Sequence, residues 1–255
     1  MSGLLIDGDE LRAVGDRGVW LTARLERNAA GAVTAFRDAE IGPLRDRRDA
    51  ALFGRRIDAE SLARDGASGV WIGFEQRHRI TARDALGAPA RETATQLPTA
   101  RLGRNSGIEG LARGPDGALW AIAETLIGGA PAGWRLDRGV ARPFRFERIG
   151  RHKPTGADFG PDGALYVLER DYGFFRGVRM RIRRFADPVA AAEAGDLGRG
   201  EILVDLDQRA RIDNMEALSA EAAPDGSVIL TVLSDDNFNA VQQTILLQFQ
   251  ISAAE

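Results

Sequence analysis

Three glutamates, Glu60, Glu109 and Glu216, each head a short apolar run that leads to an Asp-Gly turn. After the turn a second apolar run ends on another acid: Glu75, Glu124 and Asp235 respectively. Ser2 and Thr155 head two further runs of this kind, which close on Asp16 and on Glu169-Arg170. The two strands of a hairpin are antiparallel, so the head of the first and the tail of the second lie together, opposite the turn. Seven or eight carboxylates are therefore expected around one rim. Clustered like charges are costly unless a cation or arginines compensate them. A hard cation such as calcium takes oxygen ligands of this type. Glu60, Glu109 and Glu216 are the candidate metal ligands; the bland alternative is carboxylates that accept backbone N–H bonds between repeats. Organic cations of the rim are Arg17, Arg170 and Arg211.

A second dense group is Ser234-Asp235-Asp236-Asn237-Phe238-Asn239. Acids and amides this close suit an oxygen-ligand site, and they equally suit a turn that bonds its own backbone. Asp235, Asp236 and Glu124 are the candidate general bases, and Arg170 or Arg17 the candidate holder of an anionic oxygen. Asp16, Glu75, Glu169 and Asn237 are candidate substrate contacts. So are the chain's two histidines, His78 and His152, each near an expected rim position; a lone loop histidine is more often incidental. No Gly-x-Ser-x-Gly elbow supports a serine triad, and no histidine spacing supports zinc. The glycine-rich stretch at 103–107 is not followed by a helix, so a phosphate loop is a weak reading.

The elements that must position these groups form a repeat. Its first positions are 2, 60, 109, 155 and 216, in irregular steps near the length of a four-stranded propeller blade. Each copy is a hairpin signal of two apolar runs about an Asp-Gly turn. Third strands follow at Trp20–Leu25, Met180–Phe185 and 244–251, and the stretch 170–214 has room for more. Helix is scarce; the best candidate runs from Asp187 to Gly195, with Pro188 in its first turn. The fold class expected is all-β, a β-propeller with five visible blade repeats and five or six blades, as a single domain over 1–255. A β-sandwich is the alternative, but sandwiches do not repeat one hairpin five times. Trp71, Trp120 and Tyr166 recur four residues before the terminal rim residue, which marks them as packing between blades.

The chain has 37 acidic and 34 basic residues, with a net charge of −3, which gives no reason to expect nucleic acid. There is no cysteine, so disulfides and thiolate chemistry are excluded. No run approaches a membrane span, and the opening Met1-Ser2-Gly3-Leu4 has no signal-peptide pattern. The chain starts inside its first repeat, so an outer strand for the last blade is expected upstream of Met1, with any export signal. A three-stranded last blade is the alternative. A monomer is expected.

Ile108-Glu109-Gly110-Leu111-Ala112, Leu168-Glu169-Arg170-Asp171, Asp213-Asn214-Met215-Glu216-Ala217-Leu218 and the 234–239 block with Gln243-Thr244 resemble the motifs of the phytase-like, "esterase-like activity of phytase" family. The sequence departs from that pattern where Ser61 and Ala217 follow their glutamates in place of glycine, and where Gly15 precedes Asp16. The resemblance implies a propeller, hydrolysis of esters or phosphate esters of small molecules, acids as the active groups, and an exported or periplasmic bacterial protein. A cytoplasmic location stays open. The expected function is a calcium-assisted phosphate-ester hydrolase. A non-catalytic binding propeller is the first alternative and a metal-dependent lactonase the second.

Overall fold

The computed structural model describes residues 1–29, 31–94, 97, 102–103, 106–173 and 176–252. Among these residues nineteen strands build five antiparallel sheets, each in simple chain order. The first holds β1 (Gly3–Asp7), β2 (Glu10–Gly15), β3 (Val19–Arg27) and β4 (Val33–Pro43). The second holds β5 (Ala59–Asp65), β6 (Gly69–Phe74), β7 (Arg79–Arg83) and β8 (Glu92–Ala94). The third holds β9 (Ile108–Arg113), β10 (Leu119–Ile127), β11 (Ala130–Asp137) and β12 (Val140–Arg145). The fourth holds β13 (Lys153–Phe159), β14 (Leu165–Gly173), β15 (Gly177–Phe185) and β16 (Glu201–Asp207). The fifth has three strands, β17 (Met215–Ala222), β18 (Val228–Ser234) and β19 (Leu246–Ile251). These are the five blades of a propeller. The inner strands β1, β5, β9, β13 and β17 each touch the next, and β17 returns to β1 to close the ring. The expected short helix is α1 (Pro188–Glu193), capped by the Asp187 carboxylate on the Ala190 N–H.

The repeated turn has a local cause. Asp116, Asp162 and Asp225 each accept the N–H two residues on, from Ala118, Ala164 and Ser227. The intervening Gly117, Gly163 and Gly226 sit at φ +76°, +77° and +83°. The carboxylate fixes the bend and glycine takes the left-handed conformation.

Five apolar clusters fill the five blade interfaces. Trp120 is fully buried against Phe144 of its own blade and Phe159 of the next, with ring centroids 5.0 and 5.3 Å away. Tyr166 occupies the same place toward the fifth blade, and Trp71 packs at the second interface. All three are inter-blade residues, as their spacing implies.

One end of the channel is bridged. Arg64 of β5 reaches across to Asp158 of β13, Nη1 to Oδ2 at 3.0 Å. The same guanidinium bonds Asp7 Oδ1 at 2.8 Å and the Ile6 carbonyl at 2.6 Å. Asp158 is buried and also accepts the Ala220 N–H at 3.0 Å. The opposite end is the rim the sequence singles out. No helix among the described residues is long and apolar enough to cross a membrane.

Candidate functional site

The inner strands do not run into the rim in perfect register. In four of them the pairing skips one residue, between Ala59 and Ser61, Ile108 and Gly110, Pro154 and Gly156, and Met215 and Ala217. The skipped residues are Glu60, Glu109, Thr155 and Glu216. Each is the extra residue of a β-bulge, the device that re-aims a side chain out of a strand's alternation. In the first blade Ser2 holds the matching place just before β1. The bulges turn these side chains to the channel mouth.

Small residues follow the four bulges and Ser2: Ser61, Gly110, Gly156 and Ala217, and Gly3. A Cβ on Gly156 would lie 3.0 Å from the Glu216 carbonyl and 3.1 Å from the Leu218 nitrogen. A Cβ on Gly110 would meet the Ala157 methyl at 2.9 Å. Neighbouring inner strands therefore approach too closely there for a larger residue. Ser61 uses the proximity, donating to the Ile108 carbonyl at 2.6 Å.

The second strand of each hairpin ends on the same rim. The N–H of Glu75 donates to the Asp58 carbonyl, that of Glu124 to Gly107 and that of Asp235 to Asn214, at 2.8, 3.1 and 2.9 Å. Each acceptor lies two residues before its bulge. In the fourth blade that partner is Lys153, and the residue opposite it is Arg170. Glu169 is instead opposite Pro154, the place of Phe74, Ala123 and Ser234 in the other blades. Strand alternation sends it inward, where it is 1% exposed and ion-paired with Arg183. Glu169 does not reach the rim; Arg170 does.

The result is a polar bowl of about 280 Å³. It gathers eight carboxylates: Asp16, Asp58, Glu60, Glu75, Glu109, Glu124, Glu216 and Asp235. Ser2, Thr155, Asn237 and a single guanidinium, Arg170, complete its wall. Arg170 Nη1 donates to Asn214 Oδ1, and its Nη2 stands 3.6 Å from Glu216 Oε1. Asn214 Nδ2 donates to the same Glu216 oxygen at 2.5 Å. Lys153 Nζ lies 3.4 Å from Glu124 Oε1, and Gln76 Nε2 donates to Asp58 Oδ2 at 2.6 Å.

Too many acids share this space for all to stay charged unaided. Burial, then the neighbouring Glu109, pushes the Glu60 carboxyl well above its ordinary range. Burial and then Glu124 do the same to Glu109. Glu75 rises to about 7 through burial and the nearby Asp58. Glu216 also rises to about 7 through burial, although Arg170 pulls it back. Asp16 is raised by burial and by Asp235. Asp58, Glu60 and Glu75 bring one carboxylate oxygen each within 4.8 Å of one another. An all-oxygen set drawn together against its own repulsion fits a hard divalent cation.

Asp58 is the acid that hairpin reasoning passed over. It lies before its strand, two residues ahead of Glu60, and the same offset places Asn214 before Glu216. Other expected site residues lie elsewhere. Asp236 accepts from Phe238 N at 2.9 Å and from Thr244 Oγ1 at 3.2 Å, the backbone-bonding role open to any turn aspartate. Arg17 stacks on the Phe238 ring at 3.3 Å. His78 faces away from the bowl, its Nε2 2.9 Å from the Gly103 carbonyl. His152 is buried, and desolvation lowers its pKa. Within the glycine-rich stretch at 103–107, Arg104 and Asn105 lie outside the described residues.

Solved structures share this architecture at low identity, which speaks for the fold alone. An endo-1,5-alpha-L-arabinanase from Thermotoga petrophila is 12% identical, with TM-score 0.55 over 97% of this chain and 70% of that one. An alpha-L-arabinanase from Cellvibrio cellulosa is 13% identical, with TM-score 0.51 over 96% and 90%. A glutaminyl cyclase from Myxococcus xanthus is 10% identical, with TM-score 0.51 over 98% and 91%. Among curated proteins no sequence matches this one. The bulged glutamates, their small followers and the acid-amide block as far as Phe238 fall within residues 1–238, and over that span the chain matches, and belongs to, the phytase-like family described as "esterase-like activity of phytase".

Proposed function

We propose that the protein is a cation-assisted hydrolase of phosphate esters, with calcium as the cation. The observation that carries this reading is the bowl itself: eight carboxylates around one arginine, with Glu60 and Glu109 raised well above the ordinary carboxyl range by burial and mutual repulsion. Family membership supports ester hydrolysis in general. Asp58, Glu60 and Glu75 would hold the cation, with Glu109 and Glu216 as further donors of the same bowl. Bound there, a divalent cation neutralises the acids and draws charge from an ester oxygen. Arg170 orients a phosphoryl oxygen by a charge-assisted bond. Glu124 or Asp235 takes a proton from water as its oxygen attacks phosphorus; the ester P–O bond breaks, and the leaving oxygen takes up that proton to depart as the alcohol.

The test is a panel of chromogenic phosphate mono- and diesters, acyl esters and lactones, assayed after chelation and again with calcium. Turnover of phosphate esters that needs calcium, and that falls to background in Glu109→Gln and Glu216→Gln with melting retained, supports the proposal. Retained activity in both variants overturns it. One observation favours a second reading, a propeller that holds a cation without turnover. The Arg170 guanidinium is already engaged by Asn214 and Glu216, which leaves less of it for a substrate. That reading expects calcium to raise the melting temperature while every ester stays intact.

A further inference from the structure

A second cavity, of about 600 Å³, lies on the outer side of the second blade. It lies across the turn at 75–78 from the acid bowl: Glu75 lines the bowl, while Gln76, Arg77 and His78 line the cavity. Strand alternation builds its floor. Arg79, Thr81 and Arg83 lie on one face of β7, and Thr93 of β8 stands opposite Thr81. Arg45, Arg47 and Arg56 enter from the connection between the first two blades. Six guanidiniums thus face a lining with one carboxylate, Asp46, whose Oδ1 accepts the N–H groups of Arg48 and Ala50. Arg45 also pairs with Asp49 at 3.4 Å.

Arg83 is the telling residue. Five arginines are buried among the described residues: Arg12, Arg83, Arg135, Arg181 and Arg183. Four of them stand against a carboxylate, Asp7, Asp116, Asp205 and Glu169 in turn. Arg83, 1% exposed, has none; it donates to the Ala88 carbonyl at 2.6 Å, and its Nε is left without a partner. Arg79 has no carboxylate partner either. It is held over the Phe74 ring at 3.7 Å with its Nη atoms on the Arg77 and Arg56 carbonyls. Two more buried polar atoms of the lining are unpaired, Thr81 Oγ1 and His78 Nδ1. Burial pulls Arg83 down to about 10; burial and then its guanidinium neighbours pull Arg79 to the same value. An unpaired buried cation is expensive, and several together more so.

We propose that this cavity is a binding site for a small, multiply charged oxyanion, a phosphate- or carboxylate-bearing molecule held by Arg77, Arg79 and Arg83. Guanidinium forks match both groups in planar, bidentate fashion, and the volume admits a small organic anion. The site is distinct from the acid bowl, with Gln76 of its lining donating to Asp58 on the bowl side.

Calorimetric titration of the chelated full chain with inorganic pyrophosphate, and separately with citrate, tests it. At least one should bind, and affinity should fall as salt rises. A response to pyrophosphate alone assigns phosphate chemistry; a response to citrate alone assigns a polycarboxylate. Arg77→Gln, an exposed change that leaves the core alone, should weaken binding about tenfold. Arg83→Met should abolish it without lowering the melting temperature of the ligand-free protein, because it removes a buried charge that lacks a counterion. Arg138→Gln, on the exposed hairpin turn of the third blade, should bind as the unaltered chain does. Binding of neither anion, or equal affinity in Arg77→Gln and Arg138→Gln, overturns the proposal.

Discussion

At the residue scale the bowl is a set of acids held where they would rather not be charged. The ordinary glutamate value is 4.5, and both Glu75 and Glu216 stand at about 7 in the folded protein. The folded state therefore binds protons more tightly than the unfolded chain. That contribution to stability is complete below the unfolded value and is lost as pH rises through the folded one. Chelated protein should melt at progressively lower temperature between about pH 5 and pH 8. A divalent cation should reverse the fall, and should bind more weakly below pH 7, where protons compete for the same oxygens. Melting curves at several pH values, with and without calcium, check both statements. A melting temperature that climbs over this range in the chelated protein contradicts the assignment of these carboxyls.

At the element scale, the hairpins, their turns and the inter-blade aromatics are legible in the sequence because each is a local pattern. Asp-Gly fixes a turn, alternation fixes a face, and repetition fixes equivalence. Two things are not legible in that way. The bulges are differences of one residue in pairing, and no side-chain type announces them. Glu169 and Arg170 are adjacent, and only the register shows which of them faces the rim. Asp58 escapes notice because it lies before its strand, and the cavity arginines because their convergence depends on connections between blades. The residue after each bulge carries a prediction. Gly156→Val would press a branched side chain onto the backbone of β17 at Glu216 and Leu218. It should cost about 1–3 kcal/mol by overpacking. Denaturant unfolding measures this, and the same change at exposed Gly128 of the β10–β11 turn would report only its local φ of +64°.

At the scale of the whole molecule, the ring is closed twice, by inner-strand contacts and by the Arg64 bridge across the far end of the channel. Arg64→Met would leave Asp158 buried without its counterion. It should cost about 3 kcal/mol, and Asp158→Asn in the same chain should recover much of that. A double-mutant cycle in denaturant reads the coupling directly. Sites independent of the bridge, including the arginine cavity, should keep their affinities in the folded fraction. Equal destabilisation by Arg64→Met with and without Asp158→Asn would show that the bridge carries no special weight.

The bulged positions have an evolutionary consequence. A bulge residue takes no part in the ladder, and none of the four belongs to an inter-blade apolar cluster. At the three glutamates the fold thus holds the position while leaving the side chain to the bowl; at Thr155 the hydroxyl also donates to the Met215 carbonyl at 3.0 Å. The bulged positions behave as sockets around a common axis, and each can be refitted by a single substitution while the scaffold tolerates the exchange. Ser2 and Thr155 already carry hydroxyls where three other sockets carry carboxylates. A lineage built on this propeller can drift from one donor set to another, and so from one chemistry to another, through intermediates that all fold.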